Sequence, residues 1–350
     1  MAERGNTGRA RRASVRVSFD GTDITADIRP YFLSMTMTDN EEDLTDDLSL
    51  TLQDRDGVWL QSWLAAAVSA AAADRKISAS ILYLDGDGME TELPCGEFEL
   101  DAAEASGPPM VCTLRATSLP YAEPIRQTVQ SREWESYDLF GIAMEIASKA
   151  GMLVLPPASG RNPQYARVEQ FEESDIVFLD RLCKEAGISL KASGGLLILG
   201  DMESYDAQSP VRTIRHGDGT YTKYRLSTGE RDRQYSACVV RYIDLATGSE
   251  YVGSASNPDA KNEQVLNRVA VVGSSGEAEE KAKHFLKQKN KFELTAQFTF
   301  PGDPSLCATQ AVELAGFGAW DGKYIIKKAV HSVGSGGYTT QITLRSGGGS

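Results

Sequence analysis

"GAWDGKYIIKKAVHSVGSGGYTTQITL", from Gly318 to Leu344, decides how this chain is read. Tyr324 to Val330 and Tyr338 to Leu344 read as two strands joined by a glycine-rich turn. Side chains of a strand alternate between faces, so a run of this kind puts one face on a core and leaves the other in water. The stretch carries no obvious catalytic residue. A hairpin so regular and so poor in chemistry points to architecture.

The same period recurs outward from it. "SVRVSF" alternates Val15, Val17 and Phe19 before an Asp20-Gly21 turn, "FLSMTMT" alternates Leu33, Met35 and Met37, and "LSLTLQD" alternates Leu48, Leu50 and Leu52. "ISASILYL", "GEFELDAAEA" and "MVCTLRATS" continue the pattern, which predicts an antiparallel sheet or barrel. "DGVWLQSWLAAAVSAAAA" interrupts it as an expected helix packed by Trp59 and Trp63. The middle changes period. "YDLFGIAMEIASKAG" and "SDIVFLDRLCKEAG" place apolar residues on one helical face, with Ser174 as an N-cap and Gly187 as a stop. "EAEEKAKHFLKQKNK" predicts one amphipathic helix with Ala278, Ala282, Phe285 and Leu286 inward. It leads into "FELTAQFTF", whose Phe292, Leu294, Ala296, Phe298 and Phe300 share a face. The expected division is a basic N-terminal arm (1–13), a β-rich domain (14–120), an α/β domain (121–205), a second β-rich domain with one helix (206–346) and a Gly/Ser tail (347–350).

Composition narrows the function. The chain has 350 residues, a formal charge of −13 and 24% charged residues. An acidic surface argues against gripping a nucleic-acid backbone, whose binding rests on basic side chains. No apolar run approaches the ~20 residues of a membrane helix, and no apolar stretch follows the basic N-terminus as a secretory signal would require. Synthesis in the cytoplasm is the expectation. Cys95, Cys112, Cys183, Cys238 and Cys307 are widely spaced and odd in number, which fits small buried apolar side chains better than a disulfide framework.

Catalytic and metal signatures are missing. His216, His284 and His331 show no shared-ligand spacing; His284, flanked by lysines, reads as a solvated helix residue. "LDGDGME" has Met89 and Gly96 where a calcium loop needs oxygen ligands, so a tight turn is the expectation. The glycines of "GFGAWDG" miss the dinucleotide spacing. Glu41/Glu42 and Glu172/Glu173 are sequence-adjacent carboxylates, not a pair across a cleft. "DNEEDLTDD" reads as a solvated loop. No cofactor is expected.

"LPCGEFELDAAEASGPP", "IRQTVQSREWES", "QFEESDIVFLDRLCKEAGISLKASGGLLILGD" and the closing hairpin, in this order, resemble the phage late control protein D family. Its members are the baseplate hub proteins of contractile phage tails and related injection particles, including phage-tail-like bacteriocins. The resemblance covers about Val15 to Leu344. It implies an α+β, β-rich fold with two tail-tube-like antiparallel β-barrel domains and an α/β insertion domain between them. It further implies a homotrimeric ring joining the six-fold tail tube to a three-fold central spike, beside baseplate wedge proteins. Such a ring continues a channel through which DNA passes without specific binding, and it inserts into no membrane. The expected location is the host cytoplasm during assembly, then the baseplate. In that frame Trp320, Tyr324, His331 and Tyr338 are candidates for a subunit or barrel interface. Glu41, Glu42, Asp43, Asp46 and Asp47 are candidates for an acidic, lumen-facing loop. The alternative function is a peptidoglycan-binding module or cell-wall hydrolase component of the tail tip, for which Trp134, Tyr137 and Tyr165 would have to form an exposed platform.

Overall fold

The computed structural model describes residues 11–42, 44–59, 61, 75–119, 124–228, 235–244, 247–258, 260, 263–290 and 294–346. Arg4 and Arg9 of the basic arm, Asp43, Trp63 with its alanine run, Phe292 and the 347–350 tail lie outside the described residues.

The first third forms six main strands: β1 (Arg12–Phe19), β2 (Phe32–Asn40), β3 (Asp47–Gln53), β4 (Lys76–Leu84), β5 (Glu90–Ser106) and β6 (Val111–Thr117). Their apolar positions meet in one core through Val17, Met35, Leu50, Ile81, Phe98 and Leu114. A register shift between Phe32 and Ser34 breaks the alternation expected in β2 and turns Leu33 outward, to 39% exposure.

The middle third contains β7 (Val129–Asp138), α1 (Leu139–Lys149), β8 (Leu153–Leu155), β9 (Gln164–Ser174), α2 (Asp175–Glu185), β10 (Ile188–Ser193) and β11 (Leu196–Asp201). Asp138 caps α1, accepting from the Gly141 N–H at 2.6 Å, a bond worth about 1 kcal/mol. Ser174 occupies the N-cap position of α2, but its side chain makes no capping bond. The two helices bury Ile142, Ile146, Leu179 and Leu182 together with Leu190 and Leu197 of the strands. β7 and β9 pair antiparallel as a ladder of their own. Trp134 of that ladder is fully buried and stacks on Phe178, and Tyr165 is 9% exposed, so the pair forms no exposed aromatic platform.

After a short helix, α3 (Met202–Ala207), the last third supplies β12 (Arg212–Arg215), β13 (Lys223–Thr228), β14 (Ala237–Ile243), β15 (Glu250–Ser256) and β16 (Val265–Val269). Then come α4 (Ser275–Asn290), β17 (Leu294–Phe300), β18 (Ala311–Ala315), β19 (Gly322–Gly334) and β20 (Gly337–Ser346). Two cores occupy this region. One packs Phe298, Phe300, Leu314, Tyr324, Ile326 and Ile342; the other closes α4 onto the β15-β14-β16 sheet through Val240, Leu266, Ala278, Ala282 and Leu286. Gly253 makes the second closure possible, because a Cβ there would lie 2.1 Å from the Glu279 amide nitrogen.

A single hydrogen-bonded path, β13-β17-β20-β19-β2-β3-β6-β5-β4-β1, runs through both outer thirds within a thirteen-stranded sheet. The closing hairpin is its weld. Lys328 to Gly334 of β19 pair with Asn40 to Ser34 of β2. Val333 and Tyr338 enter the core of the first third, whereas Tyr324, Ile326 and Ala329 enter that of the last. Opposite the core, one row of registered neighbours is hydroxylic across four strands before it meets a charge: Thr339 faces Ser332, Ser332 faces Thr36, Thr36 faces Ser49, and Ser49 faces Arg115.

Candidate functional site: the charged junction of the three thirds

The acidic stretch after β2 is not a solvated loop. β2 ends and β3 begins beside the insertion, where Leu44–Thr45 adds a short parallel strand to Lys191–Ala192 of β10. The Lys191 Nζ lies 2.6 Å from Asp39 Oδ1 and 2.9 Å from Asp46 Oδ2. The other oxygens of both carboxylates are used as well: Asp39 Oδ2 accepts from the Ala308 N–H at 2.8 Å, and Asp46 Oδ1 from the Asn40 N–H at 2.9 Å. Ser118 completes the seam, accepting from the Asp46 N–H at 2.8 Å and donating to the Ala192 carbonyl at 2.5 Å. Burial opposes the Lys191 charge, yet the two aspartates outweigh it and hold the ammonium above its ordinary pKa.

A second pair crosses to the chain's last strand. Arg345 donates through Nε to Glu41 Oε2 at 2.8 Å and through Nη1 to Asp206 Oδ1 at 3.0 Å. The side chains of Arg345 and Glu41 are 1% and 0% exposed. Lys287 of α4 reaches the other Asp206 oxygen at 2.7 Å. Burial works against the guanidinium, but its bonds to Glu41 and the charges of Glu41 and Asp206 raise its pKa overall. Every ion has a partner of opposite sign, as charges this deep require.

The histidines also belong to packing. His331 is fully buried, with Nε2 3.1 Å from the Leu306 carbonyl and Nδ1 2.8 Å from the Tyr338 hydroxyl. The network assigns a neutral ring that donates from Nε2 and accepts at Nδ1. Burial pushes its pKa down. His284 is 8% exposed, not solvated: its Nε2 lies 2.9 Å from Arg161 Nη1 under Gly187, where a Cβ would meet the ring at 2.5 Å. Arg161 also donates to the Ala186 carbonyl at 3.0 Å and to Glu203 at 2.7 Å, which ties α4 to the insertion. Burial, then the Arg161 charge, lower the His284 pKa.

Two expectations are therefore corrected. Glu41 and Asp46 are enclosed by the chain itself and present nothing to a lumen; Glu42 is half-buried and Asp47 exposed. His331, Tyr324 and Tyr338, at 0%, 3% and 8% exposure, are interior and have no face to offer a neighbouring subunit, although Tyr338 does pack in the first third's core and His331 pairs with Met37 between the two β-rich thirds; Trp320 is half-buried against the last third's core. Sequence inspection did not single out Lys191 or Arg345. Among the described residues no group of three His, Cys, Asp or Glu is arranged to hold a metal, and no helix is long and apolar enough to cross a membrane. Asp85 serves its own turn, accepting from the Asp87 and Met89 N–H groups at 2.9 Å each.

Comparison with known proteins places this architecture. The family model for the phage tail baseplate hub (GPD) matches residues 47–337. A probable baseplate hub protein of Escherichia phage P2 is 31% identical over 209 residues, covering 57% of this chain and 49% of that protein. Its counterpart in Escherichia phage 186 is 26% identical over 218 residues, covering 60% and 52%. The chain thus aligns with about half the length of these curated relatives. A crystal structure of a tail protein from Neisseria meningitidis MC58 matches with a TM-score of 0.70 at 12% identity, covering 96% of this chain and 97% of that one.

Proposed function

The chain belongs to the phage tail baseplate hub family, and we propose that it is the structural hub of a contractile tail or injection particle. Three copies form a ring that adapts the six-fold tail tube to the three-fold spike and continues the central channel. The observation that carries this reading is the weld. A hub has to transmit force between tube and spike, and here one ladder runs through both outer thirds, Arg345 and Glu41 pair across them, and Lys191 fixes the insertion to the first third through Asp39 and Asp46. Nothing at the junction is poised for turnover, because each charge is spent on a partner; the protein acts as scaffold, not enzyme.

The channel wall is the sheet face opposite the core, where Thr36, Ser49, Ser332 and Thr339 stand in register across four strands, beside exposed Asp47 and the Arg115–Glu104 pair. Assembly proceeds in the host cytoplasm, with tube or tube-initiator, spike and wedge proteins as partners. Co-expression with the tube and spike proteins of its own particle tests this. One complex holding three hub copies per spike is expected; a hub that purifies alone beside both proteins contradicts it.

A further inference from the structure

We propose that copies of this chain join head to tail through an aromatic knob on the insertion and an arginine-rimmed socket beside β1, a contact that rests on the ring reading above and names its surfaces. The knob is Phe171, 71% exposed in the β7–β9 ladder. It sits on a built bulge. The register shifts between Gln170 and Glu173, and Glu172 holds a φ of 47°, a conformation an L residue keeps only where its surroundings enforce it. The Glu172 N–H donates to Ser131 Oγ at 3.1 Å, and Gln170, 1% exposed, donates to the Glu173 carbonyl at 3.1 Å. The surroundings of the ring are acidic. Glu133 and Glu169 share Arg167, while Glu135 and Glu172 have no ion pair among the described residues.

The socket is a cavity of about 390 Å³ walled by Val15, Ile28, Phe32, Leu33 and Val333, between β1, the start of β2 and the tip of the β19–β20 hairpin. Arg29 lines it and Arg12 directly precedes its Ala13 edge, while Arg11 lines a separate cavity with Tyr83 and Asp303. Arg12 and Arg29 are exposed, and neither forms an ion pair among the described residues. In a chain of net charge −13, such an uncommitted basic rim is complementary to the acidic collar around Phe171. Aromatic side chains seated in apolar pockets are the usual anchors of protein contacts.

Placement makes the partner a second copy. β2 starts at Phe32 in the socket wall and ends at Asn40 beside the insertion, about 27 Å away at 3.3–3.4 Å per residue. Phe171 takes no part in lining its own chain's socket. Two different patches, each used once per copy, make a heterologous contact of the kind that closes into a ring.

Sedimentation equilibrium of the full chain, wild type and variants, over a range of concentrations tests this. Phe171→Ser removes an exposed ring from a surface bulge and is expected to weaken association about thirty-fold, as loss of an interface anchor does, with the melting temperature unchanged. Arg29→Glu and Glu172→Lys are each expected to weaken it, and an equimolar mixture of the two singly changed chains to recover only partly, because two of the three contacts in a mixed ring pair opposite charges and the third does not. The chain carrying both changes recovers the wild-type mass, because every contact in its ring again pairs opposite charges. A wild-type trimer that persists in Phe171→Ser and in both charge variants overturns the contact and leaves the ring standing. A wild type that is monomeric at every concentration overturns both.

Discussion

Arg345→Met isolates the buried pair that fastens the chain's last strand to its first third. The substitution keeps an aliphatic stem in a site only 1% exposed but removes the guanidinium that pairs with Glu41, whose side chain is 0% exposed. Asp206 retains Lys287 at 2.7 Å, so the cost concentrates on Glu41. Stranding one member of a buried pair costs about 3–5 kcal/mol, against about 5–15 kcal/mol for the stability of a whole domain. Urea unfolding followed by far-ultraviolet circular dichroism is the assay, with the denaturant slope compared between variants so that a change of midpoint reports stability. The double variant Glu41→Gln/Arg345→Met removes both charges and is expected to recover at least about 2 kcal/mol relative to the sum of the single changes, because the stranded carboxylate is gone. A loss under about 1 kcal/mol for Arg345→Met, or strict additivity in the cycle, would refute the reasoning, since a pair this deep is never neutral to half-removal.

Three further outcomes follow from the same geometry. Lys191→Met strands Asp39 and Asp46 at the seam with the insertion; it is expected to cost about 3–5 kcal/mol and to make the insertion the first site of limited proteolysis. Gly253→Ala drives a methyl into the α4 backbone and is expected to lower the melting temperature, with hydrogen exchange rising across Ser275–Asn290 before it rises in β2. The buried rings of His284 and His331 hold folded pKa values below the ordinary 6.5, so below that pH the unfolded chain binds more protons than the folded one. Their contribution is complete above pH 6.5 and is lost as pH falls, by up to about 1.4 kcal/mol per pH unit for each ring. His284→Gln should flatten the slope between pH 6.5 and 5, and an unchanged slope there would remove His284 from the account.

What was legible in the sequence followed from local period. β1, β3 and the closing hairpin bury one face and wet the other, so Val17, Leu50 and Ile342 announce themselves two residues from their neighbours. α1 and α2 declared their inner faces in the same way. The β7–β9 ladder did not, because its inner face includes Gln170, whose amide satisfies Trp134 and Asp175 where an apolar residue would ordinarily mark a strand. The acidic stretch misled for a different reason. Asp39 meets Lys191 152 positions away and Glu41 meets Arg345 304 away, and a run of carboxylates carries no sign of partners so distant. His284 was read from its lysine neighbours, yet a helix turns 100° per residue and sends it to the opposite side, onto Arg161. The division of the last third into two cores was likewise hidden, since helical periodicity tells that α4 packs but not on what.

The native mass of the purified wild-type chain, measured by sedimentation from nanomolar to tens of micromolar, tests the central claim most directly. A hub that forms its own ring gives a species three times the 38.0 kDa chain mass, with no larger closed form at high concentration. A stable dimer, or a series of ever larger species, would contradict a three-fold ring.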